Sequence, residues 1–187
     1  MLFRSGARRD VGSFTATATA LSNGNYALPQ SAQQAFVIAP KTVRLKWTGT
    51  SLTYNGKIRK PSAKAVGLVS GDRCEVTVKG GRKSAGSYTA KAVRLSNANY
   101  ALPETRTMAC VIKKKTIRLK WTQTRLKYNG KKQKPTATAV GLVEGDKCKV
   151  TVSGAQREKG DHTATAVRLS NRNYQLPGKT TVKFRIY

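Results

Sequence analysis

The chain has 187 residues, 39% of them apolar, and its 36 Lys and Arg stand against eight Asp and Glu, a formal net charge of +28. Three cysteines are too few for a disulfide framework, and the lack of any run of ~18 apolar residues excludes a membrane-spanning helix. A surface so basic calls for a polyanionic partner, whether nucleic acid, an anionic cell-wall or mucosal glycan, or lipid headgroups.

Residues 8–41 match the second half of a longer repeat that is seen twice more. Arg8 stands where Arg82 does, Phe14 where Tyr88 does and Phe36 where Cys110 does, at a constant offset of 74 residues. The array is expected to open in mid-repeat, with an unpaired strand edge and half a core. It reads as a fragment of a longer array or a shortened reading frame, ahead of a half-repeat completed by a neighbouring chain.

TVRLKW (42–47) alternates strictly, with Val43, Leu45 and Trp47 on one face and Thr42, Arg44 and Lys46 on the other. That period of two predicts a half-buried strand. Asn55-Gly56 after SLTY is a hairpin signal, and Ser70-Gly71-Asp72 and Gly80-Gly81 are further turns. CEVTV (74–78) predicts a strand with Cys74, Val76 and Val78 inward. SYTAKAVRLS (87–96) predicts a longer one, with Tyr88, Ala90 and Ala92 sharing a face. TMACVI (107–112) turns Met108, Cys110 and Ile112 inward. No segment carries a sustained 3.6-residue stripe with caps, so no helix is predicted.

The same elements follow again at the offset of 74. Trp121 answers Trp47, Asn129-Gly130 answers Asn55-Gly56, Glu144-Gly145-Asp146 answers Ser70-Gly71-Asp72, and TVKFRI turns Val182, Phe184 and Ile186 inward. Well over half of residues 42–113 recur identically in 116–187 without a gap. The expected organisation is a partial repeat over 1–41, a repeat domain over 42–115 and another over 116–187. Each full domain has six or seven short strands arranged as a small antiparallel sandwich, so the fold class is all-β. The nine residues LSNANYALP (95–103) occur three times. Asn97 and Asn99 read as a tight reversal, with Tyr100 and Leu102 tucked beneath it and Pro103 keeping the exit extended.

Reactive constellations are absent from the sequence. His162 is the single histidine and occupies the place of Tyr88 and Phe14, which predicts a packing position. Asp72 and Asp146 sit in turns, where Asp serves the backbone. Glu158 and Asp161 are replaced by Ser84 and Ser87 in the preceding repeat, which argues against a catalytic pair. Cys110 stands where Phe36 and Phe184 do, as a small buried hydrophobe. A Cys74–Cys110 bridge stays open within one repeat, but Phe184 fills the partner's place in the next, so free thiols are expected. No enzyme activity, cofactor or metal is expected.

The basic residues gather in three places per repeat. Arg44 and Lys46 share the outer face of the first strand, matched by Arg118 and Lys120. Lys57, Arg59 and Lys60 follow the Asn-Gly turn, matched by Lys131, Lys132 and Lys134, and Lys113, Lys114 and Lys115 form the junction. These thirteen side chains are the candidate polyanion-binding set. A polymer crossing several repeats gains from multivalency and released counterions. The plainer alternative is a solvated surface that keeps an extended array soluble. Aromatic residues make up only 7% and fall mostly at core or turn positions, which places nucleic acid behind a wall polymer or host glycan as partner.

Three motifs in fixed order, Y-N-G-K-x-x-K-P (54–61, 128–135), G-L-V-x-G-D-x-C-x-V-T-V (67–78, 141–152) and G-x-Y-T-A-x-A (86–92), resemble the MBG-type and bacterial Ig-like repeats of Gram-positive surface proteins. The resemblance implies tandem non-catalytic modules of a longer surface protein, serving as stalk or adhesin. It implies an extracellular setting with neighbouring repeats and no membrane span. The start MLFRSGARRD lacks the apolar core of a secretion signal and the end KFRIY lacks a wall-sorting motif, so the chain as written carries no address. The alternative reading is a cytoplasmic basic β protein that binds nucleic acid.

Overall fold

The computed structural model describes residues 2–187, among which nineteen strands and no helix form. The first three are β1 (Leu2–Ser5), β2 (Gly12–Leu21) and β3 (Gln33–Ile38). The next eight are β4 (Lys41–Thr42), β5 (Arg44–Thr48), β6 (Ser51–Thr53), β7 (Ser62–Val66), β8 (Val76–Lys79), β9 (Gly86–Leu95), β10 (Tyr100–Ala101) and β11 (Thr107–Lys113). The last eight are β12 (Lys115–Thr116), β13 (Arg118–Thr122), β14 (Arg125–Leu126), β15 (Thr136–Val140), β16 (Val150–Ser153), β17 (Gly160–Leu169), β18 (Tyr174–Gln175) and β19 (Thr181–Ile186). Each strand from β4 to β11 has its counterpart one sequence period later, in β12 to β19, and the described residues are all-β.

Alternation places the side chains as the period of two requires. Val43 is buried while Thr42, Arg44 and Lys46 are exposed. Cys110 and Ile112 are buried on β11, and Phe184 and Ile186 on β19. The turns follow from local chemistry. In each copy of the nine-residue motif the first Asn accepts the amide of the residue two later, Asn97 Oδ1 from Asn99 N–H at 2.9 Å and Asn171 Oδ1 from Asn173 N–H at 3.0 Å. Gly56 and Gly130 close the Asn-Gly turns with φ of 76° and 72°, in the left-handed region that glycine enters without a Cβ penalty.

The chain forms two compact units whose limits do not follow the sequence repeat. The first takes residues through Thr48, Ser62–Lys79 and Lys91–Thr107; the second takes Gly49–Pro61, Gly80–Ala90 and Met108–Tyr187. In the first unit β1, β2 and β3 form an antiparallel sheet. There β5 pairs antiparallel with β7, β8 pairs with the second half of β9, and β4 runs parallel to β10. Its core is Val43, Ala65 and Tyr100, with Leu45, Leu68, Cys74, Val76 and Leu95 packed around them.

The second unit contains a four-stranded sheet in the order β14-β19-β17-β16 and the antiparallel pair β13-β15. Two parallel ladders, β6 with β11 and β12 with β18, complete it. One of its cores, Ala137, Val152, Ala164, Phe184 and Ile186, lies between the four-stranded sheet and the β13-β15 pair. The other joins Tyr54 and Ile112, which precede residue 116, to Ile117, Ala139 and Tyr174, which follow it. Consecutive sequence repeats thus share apolar side chains inside this unit.

Candidate polyanion-binding faces

The thirteen basic residues singled out by their spacing fall into distinct environments. Arg44 and Lys46 belong to the first compact unit and are exposed on the outer face of β5. The other eleven belong to the second. Lys57, Lys60, Lys113, Lys114, Arg118, Lys120, Lys131 and Lys132 are exposed there, whereas Arg59 and Lys115 are half-buried. Arg59 is held by a two-bond antiparallel bridge to Arg82, at 2.7 and 2.9 Å. Lys134 is exposed overall, but its ammonium donates to the carbonyl of Val152. Lys83, and after it Lys115, act electrostatically on the half-buried Asp146.

Strand pairing adds residues that spacing alone does not reveal. In the β5-β7 ladder Lys46 stands directly opposite Lys64, and in the β8-β9 ladder Lys79 stands opposite Lys91 and Thr77 opposite Arg94. All of these basic side chains are exposed. Among the described residues none of the four lysines is in an ion pair. Like charges facing one another across a ladder destabilise it by roughly 0.2–1 kcal/mol per pair. The counterpart of Lys64 in the next repeat is Thr138, opposite Lys120, so that face carries less charge. The signal for Lys64 lay in the register of β5 on β7, which no local pattern encodes.

The four aspartates are engaged elsewhere. Tyr100 donates its hydroxyl proton to Asp72 and accepts the Val69 amide at 2.9 Å. Arg9 also reaches Asp72, at 3.3 Å. One period later Tyr174 donates to Asp146 and accepts the Val143 amide at 2.9 Å. Tyr54 adds a second phenol to Asp146 at 2.8 Å, its ring edge-on to that of Tyr174 with centroids 5.5 Å apart. The hydroxyls of Tyr174 and Tyr54 hold the Asp146 carboxyl below the usual carboxylate range. Burial, then the bond to Asp146, pushes Tyr174 up to about 12, and the same two causes raise Tyr54. Asp10 receives the side-chain amide of Asn99 at 2.8 Å, and Asp161 lies 3.9 Å from Arg185.

The second Asn of each reversal also acts at long range. Asn99 accepts the Val11 amide at 2.8 Å, and Asn173 accepts the Ala85 amide at 2.9 Å, each across 88 residues of sequence. His162 packs 5.5 Å from Phe184, and its Nε2 lies 2.8 Å from the carbonyl of Glu158. Tyr88, the same position one period earlier, donates to the carbonyl of Ser84 at 2.7 Å. Because a carbonyl only accepts, Nε2 carries the proton and the imidazole stands in for a phenol. Cys74, Cys110 and Cys148 are free thiols, with Cys110 buried. Among the described residues no group of three or more His, Cys, Asp or Glu is disposed to hold a metal ion. No protein-family model matches the chain, and no curated protein or solved structure matches it either.

Proposed function

We propose that the chain is a non-catalytic segment of repeats from a bacterial surface protein, a stalk or adhesin module whose basic faces capture anionic polymers. Each 74-residue repeat is read as a small Ig-like sandwich of the MBG type, and the extracellular setting comes with that reading. The motifs at 54–61, 67–78 and 86–92 and the recurrence of every strand from β4 to β11 support it.

One observation carries the capture of a polyanion: lysines directly opposed across exposed ladders, Lys46 with Lys64 and Lys79 with Lys91, with no carboxylate paired to them among the described residues. The fold bears this repulsion while Asp72, Asp146 and Asp10 are committed to Tyr100, Tyr54, Tyr174 and Asn99. An anionic polymer laid across such a face relieves the repulsion and releases its counterions. Recognition by ammonium groups on a sheet is indifferent to sugar or base sequence, so wall polymer and host glycan are the partners in view.

Binding of heparin, wall teichoic acid and RNA measured against salt tests this. Affinity for all three that falls steeply and in parallel with salt is the expected result. RNA held tightly at about 0.2 M salt, with heparin unable to compete, would turn the assignment to nucleic acid. Absence of binding to all three at physiological salt would leave an inert spacer with a solvated surface.

A further inference from the structure

We propose that the uncovered face of β2 and β3 is a docking surface for a strand pair of the chemistry of residues 116–149. Three separate features of this sheet are open where the last repeat is closed. The first is its apolar face. A groove of about 390 Å³ runs beside Ala16, Ala18, Leu21, Leu28, Pro29 and Ala32. Ala16 and Ala18 are counterparts of Ala164 and Ala166, which are 0% and 2% exposed. What covers Ala164 is the β13-β15 pair, through Ala137, Leu119 and Trp121.

The second feature is Tyr26. It is 70% exposed, whereas its counterpart Tyr174 is 2% exposed. Tyr174 owes much of its burial to the segment ahead of it, beside Tyr54 and Ile112 of the repeat before: the hydroxyl meets Asp146 and Val143, and the backbone at 174–175 runs parallel to β12. The Asn turn before Tyr26 is already formed, Asn23 Oδ1 accepting the Asn25 amide at 3.0 Å, so the tyrosine is placed and lacks its cover. The third feature is the free edge of β3. Its counterpart β19 takes β14 alongside in parallel, but β3 ends its sheet, with Val37 71% exposed.

In the last repeat one continuous stretch, 116–149, supplies β13, β14, β15 and the Val143–Asp146 turn and so contributes to closing all three gaps. Lys115 and, from the repeat before, Tyr54 and Ile112 add to the cover of Tyr174. The occupant is therefore defined by its chemistry. It is an antiparallel pair with Leu and Trp against the alanines and an Ile beside the tyrosine, a short strand for the β3 edge, and a turn offering one amide and one carboxylate to the Tyr26 hydroxyl.

The test adds an unlabelled peptide of residues 116–149, carrying Cys148→Ser, to the isotope-labelled full chain in about 0.3 M salt, which screens repulsion between two basic partners. Saturable one-to-one shifts at Ala16, Ala18 and Val37 are expected, with none from a scrambled peptide. Ala18→Arg, which fills the groove, should abolish them, and Tyr26→Phe should weaken binding by about tenfold, the worth of one hydroxyl bond to a carboxylate. A second arm fuses residues 116–148 directly ahead of Met1, which reproduces the spacing found in the repeats, and follows Tyr26 by nitration. A Tyr26 that reacts as fast in the fusion as in the parent chain overturns the proposal. So do equal shifts from the scrambled peptide, no shifts at millimolar peptide, or concentration-dependent self-association protecting the same residues without peptide, which would make a second copy the occupant.

Discussion

Gly56 and Gly130 occupy the same turn one period apart, yet their surroundings differ. A Cβ on Gly56 would come within 2.6 Å of Val143 Cγ1, whereas one on Gly130 meets nothing within 4 Å. Both carry positive φ, so Gly130→Ala should cost only the left-handed penalty, about 1–2 kcal/mol. Gly56→Ala should cost about 1–3 kcal/mol more, because Val143 must give way. Chemical denaturation of the two variants measures the difference. The Asp146 cluster makes a pH prediction with two limbs. The Asp146 pKa is depressed on folding, so its contribution is full above about pH 4 and is lost as pH falls through the folded value. The Tyr174 pKa is raised to about 12, so its contribution is full below about pH 10 and is lost as pH rises through about 12. Unfolding midpoints should therefore fall at both extremes, with Asp146→Asn flattening the acid limb and Tyr174→Phe the alkaline one. His162 gives a simpler case. His162→Tyr should retain the bond to Glu158 seen with Tyr88 and Ser84, while His162→Phe should lose about 1 kcal/mol.

At the scale of the strand, the opposed lysines of β5 and β7 make Lys64→Thr a copy of the Lys120–Thr138 arrangement. That change should raise stability by roughly 0.2–1 kcal/mol at low salt, a gain that vanishes in concentrated salt. It should also weaken heparin binding and lower the salt slope by about one. Thermal melts and heparin titrations of one variant test both halves. Strand identity was legible because alternation is local: Val43, Cys110, Ile112, Phe184 and Ile186 face inward where the period of two puts them. The N-x-N reversal was legible too, since Asn97 serves its own loop. The candidate site was legible only in part. Which lysine faces which depends on register between strands about eighteen residues apart. Tyr54 reaches Asp146 across 92 residues, and nothing near either residue announces the other. Asn99 and Asn173 read as turn residues, and their grip on Val11 and Ala85 becomes visible only in three dimensions.

On the scale of the molecule, the sharing of apolar side chains between consecutive repeats governs how it unfolds. Ile112 is buried with Ile117, Ala139 and Tyr174 in the second compact unit. Ile112→Ala should therefore cost about 2–5 kcal/mol. It should also speed hydrogen exchange at Ala139 and Tyr174 as much as at Tyr54, although Ile112 itself precedes the last repeat. Exchange confined to residues before 116 would show that the repeats melt separately. The joint has a genetic consequence as well. Asp146 takes one phenol from its own repeat and one from the repeat before, while Asp72 meets Arg9 at the place that Lys83 occupies one period on. The reach of Asn99 to Val11 and of Asn173 to Ala85 spans the same 88 residues at both joints, so an in-frame gain or loss of 74 codons should recreate that contact. Such a gene should lengthen or shorten its product by whole steps, each new joint matching the last.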